Sequence, residues 1–478
     1  MQSCAGVPDL SRKQQLLKRH RRNKRLVLIA GLLLLIAMGV LVAWWWAPVL
    51  ALAVWVAHEA WFADHLFYSP TDDYQYNFPA ENEVPGLRLD AGRLRVDTPL
   101  QLSGDETLVL AVTIKSGWLG RFLDPAVQLR GSELVDSQAF ERGVDGVRYL
   151  NLTGFAPAVA AGNLSIEGRH CAIRGTPRLW VFRQPDPRQQ RVMIIAPHAD
   201  DAELAAFGLY SQAQEAWVVT LTAGEIEAEH YQQMGMSPAE AARMKGRLRA
   251  WDSVAVARWG GVPESQCVQL GYFCLQLPAM QAAPDTPVGS READLMDTRL
   301  FRQFNPFALP GDDGQPTWNN LLADLRALLL KARPQVVVMP HPAIDPHPDH
   351  ICAQAAVREA LAGLEWQPEV VLGYANHLHD NDRWPMGDAY TGISLPPVFD
   401  TQLSLVPYSL SLSVSTQRDK AMALGMMHDL QPPMPFKRRV RRWLQRLLAG
   451  RRWPAEGENE FFRKAVRRHE LFWRSRDI

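Results

Sequence analysis

Val192-Met-Ile-Ile-Ala196 runs, through Pro197, into His198-Ala-Asp-Asp-Ala-Glu203. This junction restricts the fold of the chain more than any other stretch. A short, continuous, β-prone apolar run predicts a buried strand. It ends abruptly in one imidazole and three carboxylates. Open α/β sheets build their sites just beyond the carboxyl ends of strands. A second such run, Gln335-Val-Val-Val-Met339, leads into Pro340-His-Pro-Ala-Ile-Asp-Pro-His-Pro-Asp-His350, which carries three histidines and two aspartates. Two strand ends rich in metal-ligand residue types predict one shared metal site, and with it a zinc hydrolase.

The surrounding pattern agrees with a parallel sheet. Val192–Ala196 is followed by a helical pattern near Glu203–Ala213 and by the strand Trp217-Val-Val-Thr-Leu-Thr222. Helices are expected over Pro238–Ala257, Asn319–Ala332 and Ile351–Ala362, the last after the strand that ends at Met339. Alternation of this kind implies a Rossmann-like, mostly parallel sheet with flanking helices. Residues 281–317, rich in Pro, Gly and Asp, interrupt it as a long loop, either a specificity element or a plain insertion.

Upstream, residues 70–185 read as a small β-rich, sandwich-like domain. Leu108–Ile114, Arg148–Leu152 and Leu179–Phe182 are its clearest strands. It binds glycan or merely spaces the domain that follows. Pro185–Arg191 looks like a linker, and the domain beyond it spans 190–478. At the N-terminus, Leu26 to Ala43 is almost wholly apolar and uncharged, and Trp44-Trp-Trp46 follows. That predicts an uncleaved transmembrane anchor over 26–48. The basic tail, 1–25, then stays cytoplasmic, and the rest of the chain faces outward from the inner (cytoplasmic) membrane. Val49–Ala57, inside an apolar juxtamembrane segment over 49–69, suits a surface-lying helix. A hairpin that returns the chain to the cytoplasm is the alternative.

Lys+Arg and Asp+Glu balance at 51 each, so bulk charge gives no reason to expect nucleic acid as a partner. The five cysteines are scattered, without a Cys-x-x-Cys pair or a disulfide framework. Basic residues gather in Phe436-Lys-Arg-Arg-Val-Arg-Arg-Trp-Leu-Gln-Arg-Leu-Leu448, whose apolar members fall at helical spacing. Such a helix lies on anionic lipid or docks on the core with its basic face in water.

A hydrolytic zinc site needs three protein ligands and an open position for water. His198 and Asp201, three residues apart where strand passes into helix, can converge on one ion, and His350 can supply the third ligand. Asp200 adjoins a ligand but points elsewhere, which suits a general base. His347 can face the substrate carbonyl oxygen, held in its charged form by Asp349. The competing reading makes Asp200 and Glu203 a helix cap and Asp349 the cap of a polar loop. Two motifs ending two neighbouring parallel strands favour the shared site. His377, His379 and His428 read as ordinary loop or core histidines.

His198-Ala-Asp-Asp-Ala-Glu203 and His347-Pro-Asp-His350 resemble the two signature motifs of the LmbE-like (PIG-L) N-deacetylases. The commoner family form has Pro where this chain has Ala199. Thr220-Leu-Thr-Ala-Gly-Glu225 is similar to the family's second-strand segment. The resemblance covers roughly residues 190–478 and implies zinc-dependent removal of an acetyl group from an N-acetylated amino sugar. It implies Zn2+ ligands at His198, Asp201 and His350, a base at Asp200, and an oxyanion-side pair at His347 and Asp349. Glu225 falls near the family's sugar pocket. Two features depart from the pattern. Leu270-Gly-Tyr-Phe-Cys274 carries Cys274 where the family often has Asp, and Arg243, Arg247 and Arg249 compete for one helix arginine. Together with the anchor, the expected substrate is an envelope glycan or glycolipid, and the expected partner is the lipid bilayer. A glycan-binding scaffold that retains the fold, or a zinc amidase or esterase for another acyl group, are the alternatives.

Overall fold

A computed structural model describes residues 7–41, 45–64 and 66–475. Its architecture corrects the expected fold class. The protein is a mixed α/β structure with three sheets, two of them antiparallel and one mixed. Among the described residues no helix is long and apolar enough to cross a membrane. The helix Val7–Leu41 carries its basic residues before Leu26 and its long apolar run from Leu26 onward. Val42, Ala43 and Trp44, on which the expected anchor also drew, lie outside the described residues. The bilayer is therefore unsupported as a partner.

The mixed sheet holds seven strands. They are β1 (Arg191–Ala196), β2 (Glu215–Thr222), β3 (Cys267–Tyr272), β4 (Val336–Pro340), β5 (Val370–Tyr374), β6 (Val406–Ser411) and β7 (His469–Ser475). Their order is β3-β2-β1-β4-β5-β7-β6. The first five are parallel, with Ile194 opposite both Val218 and Val338. β7 runs antiparallel to both neighbours, β5 and β6. The antiparallel end escapes the sequence pattern because Pro407 interrupts β6 and charged residues interrupt β7. Pro407 is tolerated because β6 is an edge strand.

Helices cover both faces: α1 (Asp201–Tyr210), α2 (Pro238–Trp259), α3 (Trp318–Ala332), α4 (Pro348–Ala362) and α5 (Val414–Met426). Two apolar clusters fill the space between helices and sheet. One includes Ile194, Phe207 and Phe472, the other Ile195, Trp318 and Val357. Adjacent residues of β1 thus enter opposite cores, as the pleat of a strand requires. β2 and β4 lie on either side of β1, so the chain reverses its direction of travel across the sheet between β1 and β4. Crevices at such switch points receive ligands.

The β-rich segment forms a four-stranded and a five-stranded antiparallel sheet around Leu108, Leu110, Leu129, Leu150 and Leu179. Its strand Cys171–Phe182 turns Leu179 and Val181 into that core, whereas Trp180 and Phe182 join a further core with Trp473 of β7. The β-rich unit therefore packs on the antiparallel end of the mixed sheet. Asn151 Nδ2 donates to Ser409 Oγ of β6 at 2.7 Å across this junction. The basic helix α6 (Phe436–Leu448) buries Leu444 and Gln445 and leaves Phe436 and Trp443 exposed. It is docked through Gln445 Nε2, which donates to the Glu59 carbonyl at 3.3 Å, and through an Arg441–Glu59 ion pair.

Candidate metal centre

β1 delivers His198, and α1 starts at Asp201. Asp201 Oδ2 accepts the His198 backbone N–H at 2.9 Å, which closes the turn. Thr222 Oγ1 at the end of β2 donates to the Pro197 carbonyl at 2.8 Å and fixes the same turn from the side. β4 delivers the second half: His347 precedes α4, whose first turn carries Asp349 and His350. His198, Asp201, Asp349 and His350 are all buried.

Three donor atoms face one another. His198 Nδ1 lies 3.1 Å from Asp201 Oδ2 and 3.3 Å from His350 Nε2, and His350 Nε2 lies 3.1 Å from Asp201 Oδ2. Ligands bound at about 2.0–2.1 Å on a tetrahedral ion stand about 3.3 Å apart. The triangle therefore has the dimensions of one face of a tetrahedral metal site, and two imidazoles with one carboxylate are an apt donor set for zinc. The field agrees. Burial opposes charge on His350, yet Asp201 and Asp345 outweigh it and push its pKa up to about 10. Burial likewise opposes charge on Asp201, but His350 and His198 hold it well below the usual carboxylate range. The pocket favours positive charge where the three atoms meet. Further sets that can hold a cation are His198 with His347 and His350, His198 with Cys274 and Asp349, and Asp201 with His350 and His377.

The remaining expected residues fall around this triangle. Asp200 precedes α1 without capping it, since its side chain makes no cap hydrogen bond. Instead Arg249 Nη2 donates to Asp200 Oδ1 at 3.0 Å. Asp349 does not hold His347. Its Oδ2 lies 3.1 Å from His198 Nε2 and accepts the Leu275 N–H at 2.7 Å. His347 is not held in its charged form either. Burial, with His350 and His198 beside it, pushes its pKa down to about 3. Its ring centre lies 4.9 Å from that of His198 and 4.8 Å from that of His350. Glu225 is buried in the wall, accepting from Ser290 Oγ at 2.7 Å and from the Cys274 N–H at 3.1 Å. Burial raises its pKa. The loop over 281–317 thus fastens to the site through Ser290, and again through Arg291, which donates to the Leu275 carbonyl at 3.1 Å.

Several residues of the site went unread. Asp345, fully buried, meets His350 Nδ1 at 3.0 Å and accepts the Asn376 N–H at 2.9 Å. Asn376 Nδ2 in turn donates to Asp201 Oδ1 at 2.8 Å. His377, expected to be an ordinary histidine, stacks on His347 with ring centres 5.6 Å apart. Of the three competing arginines, Arg249 is the one that reaches Asp200. Arg247 is exposed and Arg243 donates to the Ala293 carbonyl, whereas Arg249 is buried between Asp200 and Asp429. Gly224, with φ of 61°, makes room for it, since a Cβ there would lie 2.3 Å from Arg249 Nε. Asp345 stands inside the quoted strand-end segment, so its nearness to His350 was the available signal. Asp429 and His377 come from distant segments that carry none.

Residues 193–361 match the family model described as PIG-L: GlcNAc-PI de-N-acetylase, so this stretch is a PIG-L (LmbE-like) domain, of a deacetylase and hydrolase family. The match holds both strand-end motifs. No curated protein matches the chain. Among solved structures, the chain aligns with GalB, the 4-carboxy-2-hydroxymuconate hydratase, from Pseudomonas putida, at 14% identity over 54% of this chain and 84% of that one, with a TM-score of 0.31. A likeness of that size carries no functional information.

Proposed function

Starting from a PIG-L domain whose two motifs converge, we propose that the protein is a zinc-dependent N-deacetylase that hydrolyses the acetamide of an N-acetylglucosamine-type sugar. The observation that carries this reading is the donor triangle of His198 Nδ1, Asp201 Oδ2 and His350 Nε2, with Asp200 adjoining it. Zinc held by these three residues would lower the pKa of a nearby water and polarise the acetamide carbonyl. Asp200 takes the proton of the attacking water at Oδ2, while Arg249 engages Oδ1 and orients the carboxylate. His347, kept neutral by burial, has one N–H to give, and donates it to the oxyanion that develops on the carbonyl oxygen. Asp349 and Asp345 hold the two ligand imidazoles in place from their far ring nitrogens.

The family description supports an N-acetylglucosamine carried on an inositol phospholipid as the first substrate to try. The test is acetate release by the zinc-loaded protein from N-acetylglucosamine conjugates that include that glycolipid, beside Asp200→Asn. The wild type is expected to release acetate. Asp200→Asn is expected to retain its zinc and to be slower by about 10²–10⁴-fold. Zinc bound without acetate from any conjugate would overturn the reading.

A further inference from the structure

The triangle uses one ring nitrogen of His198. The other, Nε2, points away from it to Asp349 Oδ2, 3.1 Å distant. Cys274, which follows β3, immediately precedes Leu275, whose N–H meets the same Asp349 oxygen. Donor atoms of His198, Cys274 and Asp349 all lie within 4.8 Å of one another, and all three residues are buried. Leu275 adopts φ of 59°, a left-handed conformation that a leucine rarely takes. That turn brings its N–H onto Asp349 Oδ2. The other carboxylate oxygen, Asp349 Oδ1, is buried without a hydrogen-bond partner. Buried polar atoms are rarely left so. A sulfur, an imidazole nitrogen and a carboxylate oxygen form a donor set that suits zinc, cobalt and cadmium rather than magnesium or calcium. The separation of Nε2 and Oδ2 again approaches the edge of a tetrahedron about such an ion.

We propose that His198 Nε2, Cys274 Sγ and Asp349 form a second, thiophilic cation site, and that filling it inhibits the enzyme. On binding, the thiol proton and the Nε2 proton leave to solvent, and His198 then bridges two ions through its opposite nitrogens. Removal of the second imidazole proton makes this ion the weaker-bound of the two. Its arrival replaces the His198–Asp349 hydrogen bond that orients a ligand of the first site. The coordination stands apart from the reaction performed; only the inhibition rests on the deacetylase reading. The competing account makes Cys274 a bystander and the His198–Asp349 contact an orienting hydrogen bond alone.

Titration of the metal-free full-length protein with Co2+ separates them, with absorbance and bound metal both measured. The first equivalent is expected to bind without a thiolate-to-cobalt charge-transfer band. The second brings that intense near-ultraviolet band, and Cys274→Ser stops at one equivalent with no band. One equivalent at saturation, a second without the band, a band complete at the first equivalent, or an unchanged band in Cys274→Ser would each overturn the proposal. The wild-type titration decides the matter even if the variant folds poorly. In acetate release, the second equivalent is expected to slow the wild type at least tenfold, and Cys274→Ser to tolerate it. A second-equivalent band in a protein that never releases acetate would remove the deacetylase reading and leave the site standing.

Discussion

Asp345 touches no substrate in the proposed reaction, yet it decides how His350 presents itself. Its Oδ2 meets His350 Nδ1 at 3.0 Å and also accepts the Asn376 N–H, so the imidazole is held for a ligand at Nε2. Loss of such an outer partner typically costs 10–100-fold in metal affinity. Asp345→Asn is expected to weaken zinc binding by about that factor, read by competition with a chromogenic chelator. Glu203 makes a different prediction. Burial pushes its pKa up to about 8 from the 4.5 of a free glutamate, while the Tyr210 hydroxyl donates to Oε1 at 3.0 Å. Between those values the folded protein keeps a proton that the unfolded chain has released, so stability falls as pH rises through that window. Glu203→Gln is expected to flatten this decline in Tm, gaining most at its alkaline end. The donor triangle was legible because His198, Asp201 and His350 sit in two compact motifs at strand ends. The protonation of His347 was not, because it depends on His198 and His350 being close in space, which spacing along the chain does not reveal.

At the level of elements, α2 and the turn at Asp429 act on Asp200 together. α2 begins with a capping box, Ser237 and Glu240 each accepting from the other's backbone N–H. It carries Arg249 to Asp200, and the 3-10 turn His428–Leu430 closes the far side of the guanidinium with Asp429. Lys245, a turn earlier on the helix, pairs with the same Asp429 at 2.9 Å. Burial opposes the charge on Arg249, and Asp200 and Asp429 outweigh it. A lysine keeps the charge but lacks the planar fork that reaches two carboxylates at once. Arg249→Lys is therefore expected to lower kcat by about tenfold at unchanged zinc content. Asp429→Asn should lower it less, and Asp429→Glu should restore part of the loss. Equal loss of kcat and of zinc would assign Arg249 a purely structural role. This pairing was out of reach of the motifs, since Arg249 and Asp429 lie far apart in sequence. β1, β2 and β4 were legible as continuous apolar runs, the mark of strands buried on both faces. β6 and β7 were not, and with them went the mixed character of the sheet.

The whole molecule ties the β-rich unit to the candidate metal centre through one apolar core. Trp180 and Phe182 from the antiparallel strand Cys171–Phe182 share that core with Trp473 of β7, Ile344 and Leu378. Ile344 adjoins Asp345 and Leu378 adjoins His377, so the residues behind the candidate metal site lean on the neighbouring unit. Two consequences follow from this packing. The two units should unfold in one calorimetric transition, because neither face of the junction is polar enough to stand alone in water. Trp180→Ala, which removes a nearly fully buried indole, is expected to cost about 3–5 kcal/mol. It should shift that single transition downward rather than split it. If the β-rich unit were a mere spacer, the same variant would leave zinc affinity untouched under conditions where the protein stays folded. Support of Asp345 and His377 through Ile344 and Leu378 requires the opposite: zinc affinity should fall in Trp180→Ala although the indole approaches no ligand. A zinc titration of the folded variant, beside Asp345→Asn, distinguishes a supporting unit from a tethered one.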